Sequence, residues 1–530
     1  MKPALKKIRK WFIRLSVAVL VLGIVGGLYM AYRINIDEAQ AFDDPVEHFK
    51  YGSTGGDRNF GIPYVVWQAL PVLFRDHLPE GREDLGWAAF GFVEEYVEGD
   101  DGTLVLKNGR PVGTSMRNYQ GIERVFLNCA GCHAGTVRTS ANGEVHVYAG
   151  MPANRIDLQA FQDFLIAVAL DERFTPDNFM AQIDDMDLDV DFINRAALRF
   201  FGIYALRERI LTIRHRFRFA EHEPAFGPGR FDTFSPAKAL LNWPLDQIPE
   251  DERIGVVDFP SIWLQAPREG MKLHWDGNNT KVQERNRSAA FGTGALPPLL
   301  DRESVQKMEN WLLTAEPPSF QALFPAHVDQ SQLALGAQVY QEECADCHGQ
   351  NGRDFSGAYV GEVTPIDKIG TDRGRLDNYT LDLALNQNVL YAEYGDERFQ
   401  NFRKTNGYAN APLDGLWLRA PYLHNGSVPT LWDLLQPESQ RPAVFYRGYE
   451  VYDPVNMGFE SRPSAIPAER HGELFCFQVR DGAGSCAVEP DNNDACRFGR
   501  CSGNWNGGHD YGTTLPDSDK RALVEYLKTF

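Results

Sequence analysis

Cys129-Ala130-Gly131-Cys132-His133 is a C-x-x-C-H pentapeptide, the spacing by which a c-type haem is attached to a chain. Two thiols add across the two vinyl groups of the porphyrin. The adjacent imidazole then reaches the iron from the same side. Two intervening residues let the cysteines meet both vinyls, and the next residue falls under the metal. The pentapeptide recurs at Cys344-Ala345-Asp346-Cys347-His348. A competing reading joins the two C-x-x-C pairs into one four-cysteine zinc site, but it leaves both trailing histidines unexplained. Two covalent haem c groups are therefore expected, with Cys129, Cys132, His133, Cys344, Cys347 and His348 binding them. His133 and His348 are the expected iron ligands.

Outward from this pair, 530 residues give room for two or three domains. Net charge is −19 although the first 33 residues hold seven basic and no acidic residues, so an acidic body argues against nucleic acid as a partner. Residues 1–14 form a basic flank. Residues 15–32, Leu15 to Tyr32, are apolar and uncharged. At a 1.5 Å rise they would span about 27 Å, close to a bilayer core. The basic flank belongs on the cytoplasmic side, so a single-pass anchor in a bacterial inner membrane is expected, with the body in the periplasm. A cleaved signal peptide competes; Ala39-Gln40-Ala41 has the small-x-small pattern but lies well past the apolar run. Export also suits covalent haem attachment in bacteria.

Cys476, Cys486, Cys496 and Cys501 are packed into 26 residues. In an oxidising compartment they suggest two disulfides, in any of three pairings. A zinc knot is weaker because the spacing is irregular.

Residues 33–60 are polar and Gly-rich and read as a tether. Residues 61–328 read as an N-terminal haem domain with an inter-haem loop, and residues 329–530 as a C-terminal cytochrome c domain with a Cys-rich insertion. Val137 to Val147 alternates around Asn142-Gly143, which predicts a short hairpin. Gln159–Leu170 has helical spacing, and residues 177–220 read as more helix ending in a basic stretch near Arg214–Arg218, most simply a solvated face. Residues 228–300 are Pro- and Gly-rich and irregular. Leu333, Ala337, Tyr340 and Cys344 share a helical stripe entering the second haem motif, and Asp517–Phe530 closes the chain with Leu523, Leu527 and Phe530 on one face. No repeat is apparent beyond the haem motifs. The expected fold class is mainly α: two cytochrome c-like haem domains with long irregular insertions, plus an N-terminal transmembrane helix.

Two further motifs, His274-Trp275-Asp276-Gly277-Asn278 and Ala420-Pro421-Tyr422-Leu423-His424-Asn425-Gly426-Ser427-Val428-Pro429-Thr430-Leu431, lie in order with the haem pentapeptides. Over residues 60–530 the chain resembles the bacterial dihaem cytochrome c peroxidase superfamily, whose patterns there are F-W-D-G-R and A-P-Y-F-H-D-G-S-V-x-T-L. The resemblance implies that Trp275 lies between the haems and carries electrons or holes; the plain alternative is a core tryptophan. It also implies that His424 shapes the haem surroundings without being an axial ligand.

Departures from the peroxidases point to the rubber oxygenase-like branch. The peroxidases' catalytic Glu has no counterpart in Ser288–Gly294, and Glu284 and Glu303 flank that place without fitting. Their Met ligand falls near Pro437-Glu438, where neither residue can serve. Gly150–Leu158 and Arg447–Glu450 also resemble the rubber oxygenase branch, in which the second haem is bis-His and the first has an open, apolar far side with a Phe. That resemblance implies His509 opposite His348, with Met457 as rival, and Phe291 over the first haem, with His146 as rival sixth ligand. Ca²⁺ between the domains is common among such relatives, and no ligand set here matches it.

Three functions follow from this reading. The first is a rubber oxygenase-like oxidoreductase with the first haem as reaction centre for O2 or peroxide. The second is a dihaem peroxidase using Trp275 to share oxidising equivalents. The third is a non-enzymatic electron carrier. Partners expected are O2 or H2O2, a redox protein or quinone-linked electron donor, and the inner membrane.

Overall fold

The computed structural model describes residues 2–99, 102–218, 223–245, 247–390, 392–480 and 501–530. Lys2–Ile34 is one helix with its apolar side chains exposed. It is long and apolar enough to cross a bilayer, as either a single membrane span or a signal sequence would be.

The expected tether over residues 33–60 is a correction. Asp37–Ala39 pairs with Thr114–Tyr119, which continues through Ile122–Leu127 to Ile62–Pro63 in an antiparallel four-stranded sheet. Pro45–Tyr51 is a helix capped by Asp44, and Tyr51, Ser53, Thr54 and Asp57 are fully buried. The segment reads as polar because its polar groups are used internally. Buried Arg117 binds Asp57 at 2.7 Å and Ser53 at 3.0 Å, and also pairs with Asp37 and Asp301. A glycine is needed at Gly56, where a Cβ would lie 1.7 Å from the Thr293 carbonyl.

The strand Ile122–Leu127 runs straight into the first haem pentapeptide, and the expected hairpin follows as Ala134–Val137 paired with His146–Ala149. The helices Leu158–Leu170, Pro176–Asp185 and Phe192–Arg216 cover a core built on Trp67, Trp87, Phe90, Phe161 and Phe164. Trp67 and Trp87 stack with centroids 4.0 Å apart.

Leu333–Glu343 crosses the terminal helix Asp517–Leu527. The crossing is tight because Gly336 faces Ala522; a Cβ there would lie 2.0 Å from the Ala522 carbonyl oxygen. Gly336, Val339 and Tyr340 are the residues this helix buries. Leu523 and Leu527 are buried as expected, and Phe530 packs edge-on against Tyr340. The second core also takes Val137, Met151 and Trp263, so packing crosses the expected boundary at residue 329. The expected mainly α fold is not confirmed: the second pentapeptide follows the helix Leu333–Glu343, but the first stands between the strands Ile122–Leu127 and Ala134–Val137, and the described residues form sixteen short strands joined by irregular backbone.

Cys476 and Cys501 are each disulfide-bonded; Cys486 and Cys496 lie outside the described residues. Cys129, Cys132, Cys344 and Cys347 are free thiols.

Candidate cofactor site

Cys129–His133 forms a single helical turn. Asn128 fixes it from both ends of its amide. Its Oδ1 accepts from the Ala130 N–H at 3.0 Å, and its Nδ2 donates to the carbonyls of Phe49, Lys50 and Gly52. The end of the helix Pro45–Tyr51 that receives those bonds is part of the segment expected as a tether, so that segment positions the site.

His133 Nδ1 lies 2.9 Å from the Pro260 carbonyl. A carbonyl only accepts, so Nδ1 carries the proton and Nε2 keeps its lone pair. Burial holds the ring at a pKa of about 4, neutral as a metal ligand must be. His348 repeats the arrangement: its Nδ1 donates to the Ala411 carbonyl at 2.7 Å, and burial lowers its pKa. A carbonyl orienting the far nitrogen is the usual second partner of a metal-ligating histidine.

The two histidines differ in what faces them. The ring of His509 lies opposite His348 with centroids 6.2 Å apart and planes 40° apart. A nitrogen–metal bond of about 2 Å on each side, with the ring radius added, puts two opposed imidazoles about 6 Å apart. The separation of these ring centroids is close to the one that two imidazoles on a single metal would have. His509 is held by its backbone N–H donating to Ile369 at 2.8 Å, and its buried Nδ1 has no hydrogen-bond partner. Burial and His348 keep its pKa at about 4. Met457, the rival, is fully buried in the second apolar core, and its carbonyl accepts from Tyr422. His133 meets the edge of Phe259 at 6.2 Å; among the described residues no second imidazole stacks opposite it. His146 stacks on Tyr148 instead.

Trp275 is hydrogen-bonded to both backbone segments that hold the histidines. Its Nε1–H donates to the Asp258 carbonyl at 2.9 Å, two residues from the carbonyl that holds His133. Its own carbonyl accepts from Ala409 N–H at 2.8 Å, two residues from the carbonyl that holds His348. The indole packs against the cluster of Ile366, Leu376 and Tyr408, as does Ile369, whose carbonyl accepts from the His509 N–H.

The loops carrying Trp275 and His424 share one geometry, a repeat that the sequence hides. Leu273 bridges Asn279 and Tyr422 bridges Val428, each six residues apart. His274 and Leu423 have φ of 63° and 66°, Gly277 and Gly426 of 67° and 62°. Trp275 and His424 thus occupy equivalent positions. Tyr408 donates to the Asp372 carbonyl and accepts from His424 Nε2 at 2.9 Å. Its Nε2 is thereby occupied, in accord with His424 not being an axial ligand.

Phe291 sits on the turn Ala290–Thr293 in an aromatic wall with Phe399, which continues through Phe402 to His274. No ring contact among the described residues joins Phe291 to His133. Glu284 is fully engaged, accepting from the N–H groups of Gln400 and Asn401 and from the side chains of Asn279 and Asn401. Glu303 is exposed beside Lys307. Tyr408, Pro260 and Ala411 escaped sequence reading because two act through backbone carbonyls, which carry no residue signature. Among the described residues no group of three or more His, Cys, Asp or Glu side chains is set to hold a metal ion.

Residues 407–446, which hold Tyr408, Ala411 and His424, match a family model described as RoxA-like, cytochrome c-like. The chain carries a cytochrome c-like domain. Such a domain implies covalent haem c. Two uncharacterized proteins of Sinorhizobium fredii are similar to the chain. The protein y4iM is 29% identical over 300 residues, 52% of this chain and 64% of the relative, so the match covers less than two thirds of that protein. The protein y4iJ is 24% identical across 99% of this chain and 100% of its own length.

Proposed function

We propose that this chain is a membrane-anchored periplasmic oxidoreductase with two covalent haem c groups, rubber oxygenase-like, in which the His133 centre meets O2 or peroxide and the His348–His509 centre passes electrons. The observation that carries this reading is the asymmetry of the two histidines: one faced by a second imidazole at ligating distance, the other beside Phe259. Haem c supplies electron transfer where histidines occupy both faces of the iron and small-oxidant binding where one face is open.

The chain's own groups do the rest. The thiols of Cys129, Cys132, Cys344 and Cys347 would anchor the porphyrins as thioethers. The carbonyls of Pro260 and Ala411 keep both Nε2 lone pairs aimed away from the backbone. Trp275 is hydrogen-bonded to Asp258 and Ala409, each two residues from a carbonyl that holds a histidine, and offers an oxidisable ring. Glu284 is committed to four hydrogen bonds and does not move a proton, which favours an oxygenase over a peroxidase. A redox protein or a quinone-linked donor supplies electrons in this reading.

Low-temperature EPR with a pyridine haemochrome count on the purified protein tests the proposal. Two haems per chain, one of them bis-histidine, and carbon monoxide binding to the other after reduction are expected. Oxygen uptake with an apolar alkene supports the oxygenase. Turnover of H2O2 with a reduced cytochrome replaces it by the peroxidase. Two centres indifferent to carbon monoxide reduce it to an electron carrier.

A further inference from the structure

The helix beginning at Phe192 passes through a π-turn at Leu198–Gly202 and runs to Arg216. Leu198, Ile203, Leu206 and Ile210 bury its inner side in the N-terminal core. Its outer side holds four aromatic rings in the open: Phe192 is 84% exposed, Phe200 64%, Phe201 75% and Tyr204 57%. Large apolar side chains grouped this way mark a contact surface, and the cofactor site uses none of them.

Two observations identify what covers them. The end of the apolar N-terminal helix is fastened to this same element, since the Arg33 guanidinium donates to Asn194 Oδ1 at 2.5 Å and to the Gly121 carbonyl at 2.9 Å. Phe200 lies six residues further along, about 9 Å on the helix axis. The helix therefore starts where the apolar segment ends. Beyond the rings, Arg214, His215, Arg216 and Arg218 are all exposed, and among the described residues none of them forms an ion pair, in a chain of net charge −19. Aromatic rings followed by unpaired arginines are the composition of a helix lying in a bilayer interface.

We propose that Phe192–Arg218 is a second membrane contact. The rings of Phe200, Phe201 and Tyr204 sit at the headgroup–acyl boundary of the leaflet from which the N-terminal helix emerges. Arg214, Arg216 and Arg218 bind anionic phospholipid headgroups. The inference rests on reading the N-terminal helix as an uncleaved span. The end of the span is fastened to the body at Arg33 and through Asp37–Ala39; a second contact adds to that hold and fixes which face the cofactor centres present to the bilayer.

The test uses the full-length haem-loaded protein in nanodiscs of phosphatidylcholine with or without phosphatidylglycerol. A photoreactive p-benzoylphenylalanine replaces Phe201, or Leu385 as a control on another exposed helix. The expected result is a phospholipid adduct at 201 and none at 385, with several-fold more adduct when phosphatidylglycerol is present. The combined Arg214→Glu, Arg216→Glu and Arg218→Glu variant loses that lipid dependence while staying in the membrane pellet after a carbonate wash. Cross-linking of 201 to a second copy, or no adduct from protein that stays in the pellet, overturns the proposal. Release by carbonate is the failure of the anchor reading instead. Flotation of the released protein with phosphatidylglycerol vesicles then supports the helix contact, and its absence overturns it.

Discussion

His424 and Tyr408 stack ring on ring with centroids 4.0 Å apart, and the histidine Nε2 lies 2.9 Å from the phenol oxygen. Both are buried. Tyr408→Phe keeps the stack and strips the acceptor from a buried N–H. A loss of about 1–3 kcal/mol in denaturant unfolding is expected, with haem content unchanged. A variant as stable as the parent would mean that this hydrogen bond is not formed.

His509→Ala removes the imidazole partner of His348 without touching either covalent attachment segment. The reduced variant should bind a second equivalent of carbon monoxide, and the bis-histidine EPR signal should vanish. Retention of that signal would hand the ligand role to another side chain, Met457 first.

Trp275→Phe preserves an apolar ring but deletes the donor to Asp258. Stability should fall by about 1 kcal/mol. Electron equilibration between the two centres, followed after flash or pulse reduction, should slow while both haem spectra stay unchanged. An unaltered rate would make Trp275 a packing residue.

Gly336→Ala places a methyl group against the Ala522 carbonyl and pushes two packed helices apart. Overpacking of this kind costs about 1–3 kcal/mol, read as a lower unfolding midpoint. The covalent haem at Cys344 and Cys347 should remain.

Lys238 is fully buried and donates to Glu252 O at 2.6 Å and Asn378 Oδ1 at 2.7 Å. Burial pulls its pKa from 10.5 down to about 8. The folded chain thus prefers the neutral amine, and between those two values the unfolded chain binds more protons. Stability from this group therefore rises with pH from about 8 to 10.5, by about 2–3 kcal/mol. The stability difference between parent and Lys238→Met, measured by urea unfolding across that range, should grow by this amount. A flat difference would mean that the amine stays charged in the fold.

Both pentapeptides, the apolar N-terminal run, the hairpin after His133 and the terminal helix were legible from the chain alone. Each is local: thiol spacing, an uninterrupted apolar stretch, a turn dipeptide, a periodic face. The same locality misled at residues 33–60. Ser53 and Asp57 look like solvated loop residues until Arg117 arrives from elsewhere and buries with them, its guanidinium also pairing with Asp37 and Asp301.

By itself, the order of residues determined where haem can be attached and which two imidazoles stand beside the thiols, because that chemistry is complete within five residues. Only the tertiary structure decided what faces each imidazole. The ring of His509 reaches His348 because Ile369 holds its backbone, and Trp275 is tied to both histidine-holding segments because its indole N–H meets the Asp258 carbonyl and its carbonyl meets the Ala409 N–H, while the Pro260 and Ala411 carbonyls hold His133 and His348. Those partners are backbone groups, identical in every residue, and only folding gives them an address.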